Sequence, residues 1–295
     1  MPRWTHTPLD DHEAHDRQRE GKRRMADIHA AAAGTITLGG SLTVHRLGLG
    51  TNRITDSDES RAVLRRAVAL GVNFIDTAEM YRQSEAVIGA TLAPYPLGVI
   101  VSTKGGVTQQ FKAANDPDNI RRGIEQSLRH LRLEQLPFYF LHRLDAARAD
   151  ETIAYLKRLQ DEGLIRHLGL SDVSIAQVER ARGIMPIAAV QNEYNILERK
   201  HDDVVDYCAA NDIAFFPWFP LSRGRYAAAE ATLDAVGARL GATRQQLALA
   251  WLLRRSPAIL PIPGTTSVAH LESNLAAASL TLSDEDYATL SGLAG

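Results

Sequence analysis

The sequence predicts an α/β protein, a closed parallel (β/α)8 TIM barrel with an N-terminal β-hairpin. Three observations lead there. Short apolar, β-prone runs recur eight times between residues 47 and 263. The longer segments between them carry apolar residues three and four apart, with charge on the other face. The turn after the first run, LGLGTNRITD, lacks the G-x-G-x-x-G spacing that a doubly wound dinucleotide-binding sheet usually shows.

The elements follow in chain order. MPRWTHTPLDDHEAHDRQREGKRRMADIHA is rich in charge, holds four histidines and has no apolar core for a signal peptide. Residues 1–33 are therefore expected to be a polar, disordered tail, and residues 34–295 one barrel domain. His12 and His15, three apart, could share a helical face and bind a metal, but nothing nearby completes a site. TITLGGSLTV, around Gly39 and Gly40, reads as the hairpin. The barrel strands are LGLGT (47–51), VNFIDT (72–77), GVIVSTK (98–104), PFYFLH (137–142), RHLGLS (166–171), IAAVQN (187–192), IAFFPW (213–218) and AILPIP (258–263). Segments such as DESRAVLRRAVALG, NIRRGIEQSLRHLRL and DETIAYLKRLQDEG supply the helical crossovers. ATRQQLALAWLLRRS reads as a well-buried helix ahead of the last strand.

The totals bound the function. A net charge of −2 gives no general reason to expect nucleic acid or an anionic membrane as partner. No run approaches the roughly 18 apolar residues of a membrane span. Cys208 is the only cysteine, which excludes an internal disulfide and a cysteine-based zinc cluster. A cytoplasmic setting is compatible with this and is the one expected.

In such a barrel the side chains at the C-terminal ends of the strands converge on one mouth. The second strand ends in Asp76, with Tyr81 just beyond it; the third ends in Lys104 and the fourth in His142. Neighbouring strands lie about 4.8 Å apart, so the four groups can meet. Each alone has a plainer reading: a helix cap, a half-buried aromatic, a surface charge, a hydrogen-bonded structural histidine. Together they suit a definite chemistry. An ammonium stabilises phenolate and lowers the phenol pKa from about 10, and a carboxylate keeps the ammonium charged. A neutral imidazole donates to a substrate oxygen. That is a proton donor beside an oxygen-polarising group, as carbonyl reduction requires, and the hydride must come from a nicotinamide cofactor.

GVNFIDTAEMY, VSTKGG, FLHRLD, GLSDVS, VQNEYN and IPGTTSVAHLESN stand in this order and resemble the aldo-keto reductases from Thr35 to the C-terminus. The first matches the family signature G-x-x-x-x-D-T-A-x-x-Y. The resemblance implies Tyr81 as proton donor, Asp76 and Lys104 tuning it, His142 orienting the carbonyl, and NADP(H) lying extended across the mouth. It places Thr51 and Asn52 near the nicotinamide ribose, Ser171, Asp172 and Gln191 around the carboxamide, and Trp218 on the nicotinamide ring. Leu221 to Gly224 form the pyrophosphate loop. Gly264, Thr265 and His270 stand at the 2′-phosphate and Asn274 at the adenine. Two departures stand out. Asp172 replaces a usual Asn and cannot donate to the carboxamide oxygen. The Lys and Arg that often grip the 2′-phosphate are replaced by Gly264 and His270, leaving hydroxyls and a helix N-terminus near Ser267.

VQNEYN and FFPWFPL are also similar to the branch with bacterial pyridoxal reductases, which implies an aromatic aldehyde as substrate. The GGVTQQFKAAND loop after Lys104 is expected to shape the pocket, and the short Arg82-Gln83 link after Tyr81 to leave its mouth open. Arg82 and Arg143 are read chiefly as solvated rim charges, with an acidic substrate as the alternative. Two other classes stay open: a nicotinamide-binding regulatory or redox-sensing subunit with negligible turnover, and a metal-dependent barrel hydrolase. The complete tetrad opposes the first; the lack of further strand-end ligands opposes the second. Oligomeric state is left open.

Overall fold

Strand alternation sends one row of side chains inward and the next outward, and that rule organises the protein seen in the computed structural model, which describes residues 28–294. His12 and His15 lie outside the described residues. Residues 28–33, read from sequence as part of the tail, include a 3-10 turn over Ala30–Ala33. Ala30 there is fully buried and donates its N–H to the Leu70 carbonyl at 2.9 Å.

β1 (Thr35–Leu38) and β2 (Leu42–His45) form the antiparallel hairpin, turned by Gly39 and Gly40 in left-handed conformations. Seven parallel strands follow in sequential order: β3 (Leu49–Gly50), β4 (Phe74–Asp76), β5 (Ile100–Gly105), β6 (Leu136–Leu141), β7 (Ile165–Ser171), β8 (Ile187–Gln191) and β9 (Ala214–Phe215). The eighth expected strand, 258–263, is present as an extended segment without a regular ladder. Pro261 and Pro263 lack the N–H a ladder needs. Their carbonyls still accept from Gly48 (3.0 Å) and Gly50 (3.3 Å), while on the other side Leu260 N–H reaches the Phe215 carbonyl at 2.9 Å. Those bonds close the barrel.

Helices cover the outer face for the reasons the sequence suggested. Asp116 caps Pro117–Leu131 by accepting from Asn119 N–H, with Pro117 at the first turn; Ile120, Ile124, Ser127 and Leu131 make its buried stripe. Thr243 and Gln246 form a capping box on Arg244–Arg255, whose residues 247–252 are all buried.

Inside the barrel, the lower layer is apolar. Phe74, Phe138, Phe140 and Phe216 cluster there, with Phe74 and Phe216 ring centroids 4.9 Å apart, and Leu38, Leu42 and Val44 of the hairpin pack beneath them. Each buried ring contributes roughly 1.5–3 kcal/mol. The rings leave no room on β7. A Cβ at Gly169 would sit 2.4 Å from the Phe140 ring. This layer is the floor on which the polar mouth stands.

Candidate active site

The inward rows that begin with phenylalanine end in polar groups two positions later: Phe74 leads to Asp76 and Phe140 to His142, with Ser102 and Lys104 between them on β5. Lys104 is fully buried. Its Nζ donates to Asp76 Oδ2 at 2.5 Å and to the Thr77 carbonyl at 2.7 Å. The other carboxylate oxygen, Oδ1, accepts from Ser102 Oγ at 3.0 Å and from Gln191 Nε2 at 3.3 Å. Burial pulls the lysine pKa down, but Asp76 and Tyr81 outweigh it and hold the ammonium above its ordinary value. The ammonium is charged.

Tyr81 follows two residues behind Glu79, whose N–H donates to the Lys104 carbonyl at 2.9 Å. Lys104 Nζ lies 5.1 Å from the Tyr81 ring centroid. The expectation of a lowered phenol pKa is not met. Burial pushes it up, the Lys104 charge pulls it back, Asp76 adds to the rise, and the net direction is upward. The phenol is thus firmly protonated at neutral pH.

His142 directly follows β6, and its N–H donates to the Gly105 carbonyl at 2.9 Å. Burial first, then the charges of Lys104 and Arg143, push the imidazole down to about 2, so it is neutral. Its ring meets Tyr81 edge-on at 6.2 Å and Phe111 at 4.8 Å. Nδ1 is buried with no hydrogen-bond partner among the described residues, an unsatisfied polar atom of the kind tolerated at functional sites.

A cavity of about 1020 Å³ opens over these groups. Every residue proposed from sequence for catalysis or cofactor contact lines it except Lys104, which lies behind the wall. Several are already engaged. The Thr51 hydroxyl donates to the Asp76 carbonyl at 2.8 Å, stapling β3 to β4. The Gln191 amide is spent partly on Asp76. Asp172 has φ 55°, and its carboxylate accepts from Trp218 Nε1 at 3.0 Å and from Arg143 Nη2 at 3.3 Å, so it holds the indole by its edge. Leu221 and Gly224 belong to a loop in which Phe219, Ser222, Arg223 and Gly224 all take left-handed φ values. A side chain at Gly264 would put its Cβ 3.0 Å from Asn52 Oδ1 and 3.1 Å from the Gly50 carbonyl, which accounts for glycine there. Thr265 Oγ1 accepts the Ser267 N–H at 3.0 Å. His270 is exposed in the first turn of the helix Val268–Ala276, and Asn274 is buried within it. Ser171 and Asn52 complete the set on the lining.

Sequence reasoning missed Arg53, and it reached Arg223 and Phe111 only as members of the two loops it singled out; all three stand on the cavity wall. Arg223 packs its guanidinium 3.8 Å over the Phe219 ring. All three sit in loops after strands, where one-dimensional pattern says little about direction. Arg82 is exposed and lies off the lining. Among the described residues no group of three His, Cys, Asp or Glu could hold a metal ion, and no helix is long and apolar enough to cross a membrane.

The cavity fits a dinucleotide. It lies at the top of the roughly 300–1,000 Å³ range of ligand sites, and one continuous lining joins the Tyr81–His142 pair to Arg53, Arg223 and Asn274.

The sequence profile described as the Aldo/keto reductase family matches residues 46–294. The chain belongs to this family. Among other aldo/keto reductase relatives and oxidoreductases, it is 39% identical over 284 residues to the pyridoxine 4-dehydrogenase of Escherichia coli, covering 89% of this chain and 99% of that protein. It is 38% identical over 280 residues to an uncharacterised oxidoreductase of Schizosaccharomyces pombe, covering 89% of this chain and 90% of the other. Among solved structures, an aldo/keto reductase of Klebsiella pneumoniae in complex with NADP and acetate superposes with a TM-score of 0.77 at 27% identity, over 88% of this chain and 94% of that one. The barrel inferred from strand rhythm is thus the aldo/keto reductase barrel, preceded in this chain by the hairpin.

Proposed function

We propose that this aldo/keto reductase uses NADP(H) to reduce an aromatic aldehyde or ketone to the alcohol, with Tyr81 as proton donor. The observation that carries this is the buried Lys104–Asp76 ion pair beside a protonated Tyr81 and a neutral His142, under a dinucleotide-sized cavity. The relatives support the cofactor, since the Klebsiella enzyme is seen with NADP. The pyridoxine 4-dehydrogenase supports an aromatic ring as substrate.

Bound NADPH supplies the hydride to the carbonyl carbon. The chain's residues do the rest. His142, unable to take a proton in the working range, donates a hydrogen bond to the carbonyl oxygen and fixes its direction. Tyr81 gives its proton to that oxygen as negative charge develops there. Lys104, held by Asp76, stabilises the phenolate left behind, and proton return from solvent restores the donor. Arg53 and Arg223 supply the positive charge for cofactor phosphates that Gly264 and His270 do not. Asp172 serves the nicotinamide end by orienting Trp218 rather than by bonding the carboxamide.

The test is NADPH and NADH oxidation across aldehydes, pyridoxal, ketones and quinones, with Tyr81→Phe alongside. The substitution should lower kcat/KM by about 10²–10⁴-fold while the dissociation constant for NADP(H) stays within a few-fold. Unchanged turnover in Tyr81→Phe removes the donor role.

A further inference from the structure

Arg143 and the loop after β5 form a pre-set unit against His142 that proton transfer itself does not employ. Asn115, 5% exposed, staples the two together: its Nδ2 donates to the Gly106 carbonyl at 2.8 Å and to the Arg143 carbonyl at 3.1 Å, and its Oδ1 accepts the Asp145 N–H at 2.7 Å. Within the loop, Thr108 N–H reaches the Lys112 carbonyl at 2.8 Å and Phe111 N–H the Thr108 carbonyl at 2.9 Å. These bonds hold Phe111 at φ 61°, a conformation a bulky residue rarely adopts. The strained phenylalanine lies edge to face with His142, and the Arg143 guanidinium stacks 5.0 Å over its ring. Both line the cavity.

The guanidinium is held but not used up. Among the described residues its one hydrogen bond to a side chain, at 3.3 Å to Asp172 Oδ2, is long, and the arginine side chain is 44% exposed. Asp172 already receives the shorter bond from Trp218. A guanidinium has five N–H donors in a fixed fork suited to a carboxylate or other oxyanion. Here the fork sits one residue along the chain from the histidine that faces the carbonyl, with an aromatic face beneath it.

We propose that Arg143 determines substrate selection: it seats an oxyanion carried by an aromatic carbonyl compound whose ring lies against Phe111. This rests on the carbonyl-reductase reading of the same cavity and narrows it to anionic aromatic carbonyl substrates.

The experiment compares the three carboxybenzaldehyde isomers with their neutral methyl esters. Affinity is measured by titration calorimetry on the protein alone and saturated with NADP+, where no turnover occurs, and kcat/KM is measured with NADPH. At least one isomer should bind about tenfold or more tightly than its ester, as expected for a charge-assisted hydrogen bond. Arg143→Gln should abolish that ratio and Arg143→Lys should restore part of it. Equal affinities for acid and ester in the wild type, or a preference that survives Arg143→Gln, overturn the proposal. The two readings separate cleanly: a carboxylate preference in binding without any NADPH oxidation refutes the reductase reading alone, and turnover of acids and esters without preference refutes the role of Arg143 alone.

Discussion

At His142, burial and two neighbouring cations act in the same direction, and the consequence reaches beyond catalysis. An unfolded histidine takes a proton near pH 6.5, whereas this one resists until about 2. Below pH 6.5 the unfolded chain binds the extra proton, so the stability tied to neutral His142 is complete above 6.5 and drains as pH falls toward 2. The slope approaches ~1.4 kcal/mol per pH unit. Denaturant unfolding at about pH 7.5 and about pH 5 should show the wild type losing up to ~2 kcal/mol more than His142→Asn; parallel losses would mean the imidazole is not held neutral by the fold. At the far end of the cavity, His270→Arg should tighten NADP(H) more than NAD(H), read by cofactor titration, and equal effects would place that side chain away from the 2′-phosphate. Asp76, Tyr81, Lys104 and His142 were legible because each interrupts an apolar pattern at a strand end. Arg53 was not, and Arg223 and Phe111 were legible only as members of their loops, because a loop residue's direction is set by contacts such as those of Asn115, which join segments distant in sequence. The engagement of Asp172 with Trp218 escaped notice for the same reason.

Strands show where pattern suffices and where it stops. Short apolar runs located β4 to β8 within a few residues, because each buries one face in the barrel interior and the other against helices. It overstated the last strand, since the apolar pattern of AILPIP promises a ladder that its prolines interrupt. Gly169 carries the opposite lesson. Its role is invisible in one dimension and obvious in three, where the Phe140 and Phe138 rings occupy the volume a side chain would need. Gly169→Ala should cost about 1–3 kcal/mol, measured by chemical denaturation. A smaller loss would show that the phenylalanine floor can shift without strain. Because that floor supports His142 through Phe140, its repacking should also depress kcat.

Over the whole molecule, net charge was the least informative total. A value of −2 is silent about a mouth lined by Arg53, Arg143 and Arg223, since what a ligand meets is the local field. The closure of the barrel has its own implication, in time instead of space. Every contact between β3 and the last segment joins chain near residue 48 to chain near residue 261, with the N–H groups of Gly48 and Gly50 as donors to proline carbonyls. No local turn brings those partners together, so the loop-closure entropy of nearly the entire domain must be met before they bond. The seam should therefore form last in refolding and open first under native conditions. In hydrogen-exchange experiments the Gly48 and Gly50 amides should lose protection before those of β5 and β6. Thr51 and Gly264, which line the cavity, hang on that seam, so a dinucleotide bound across both edges should slow its opening.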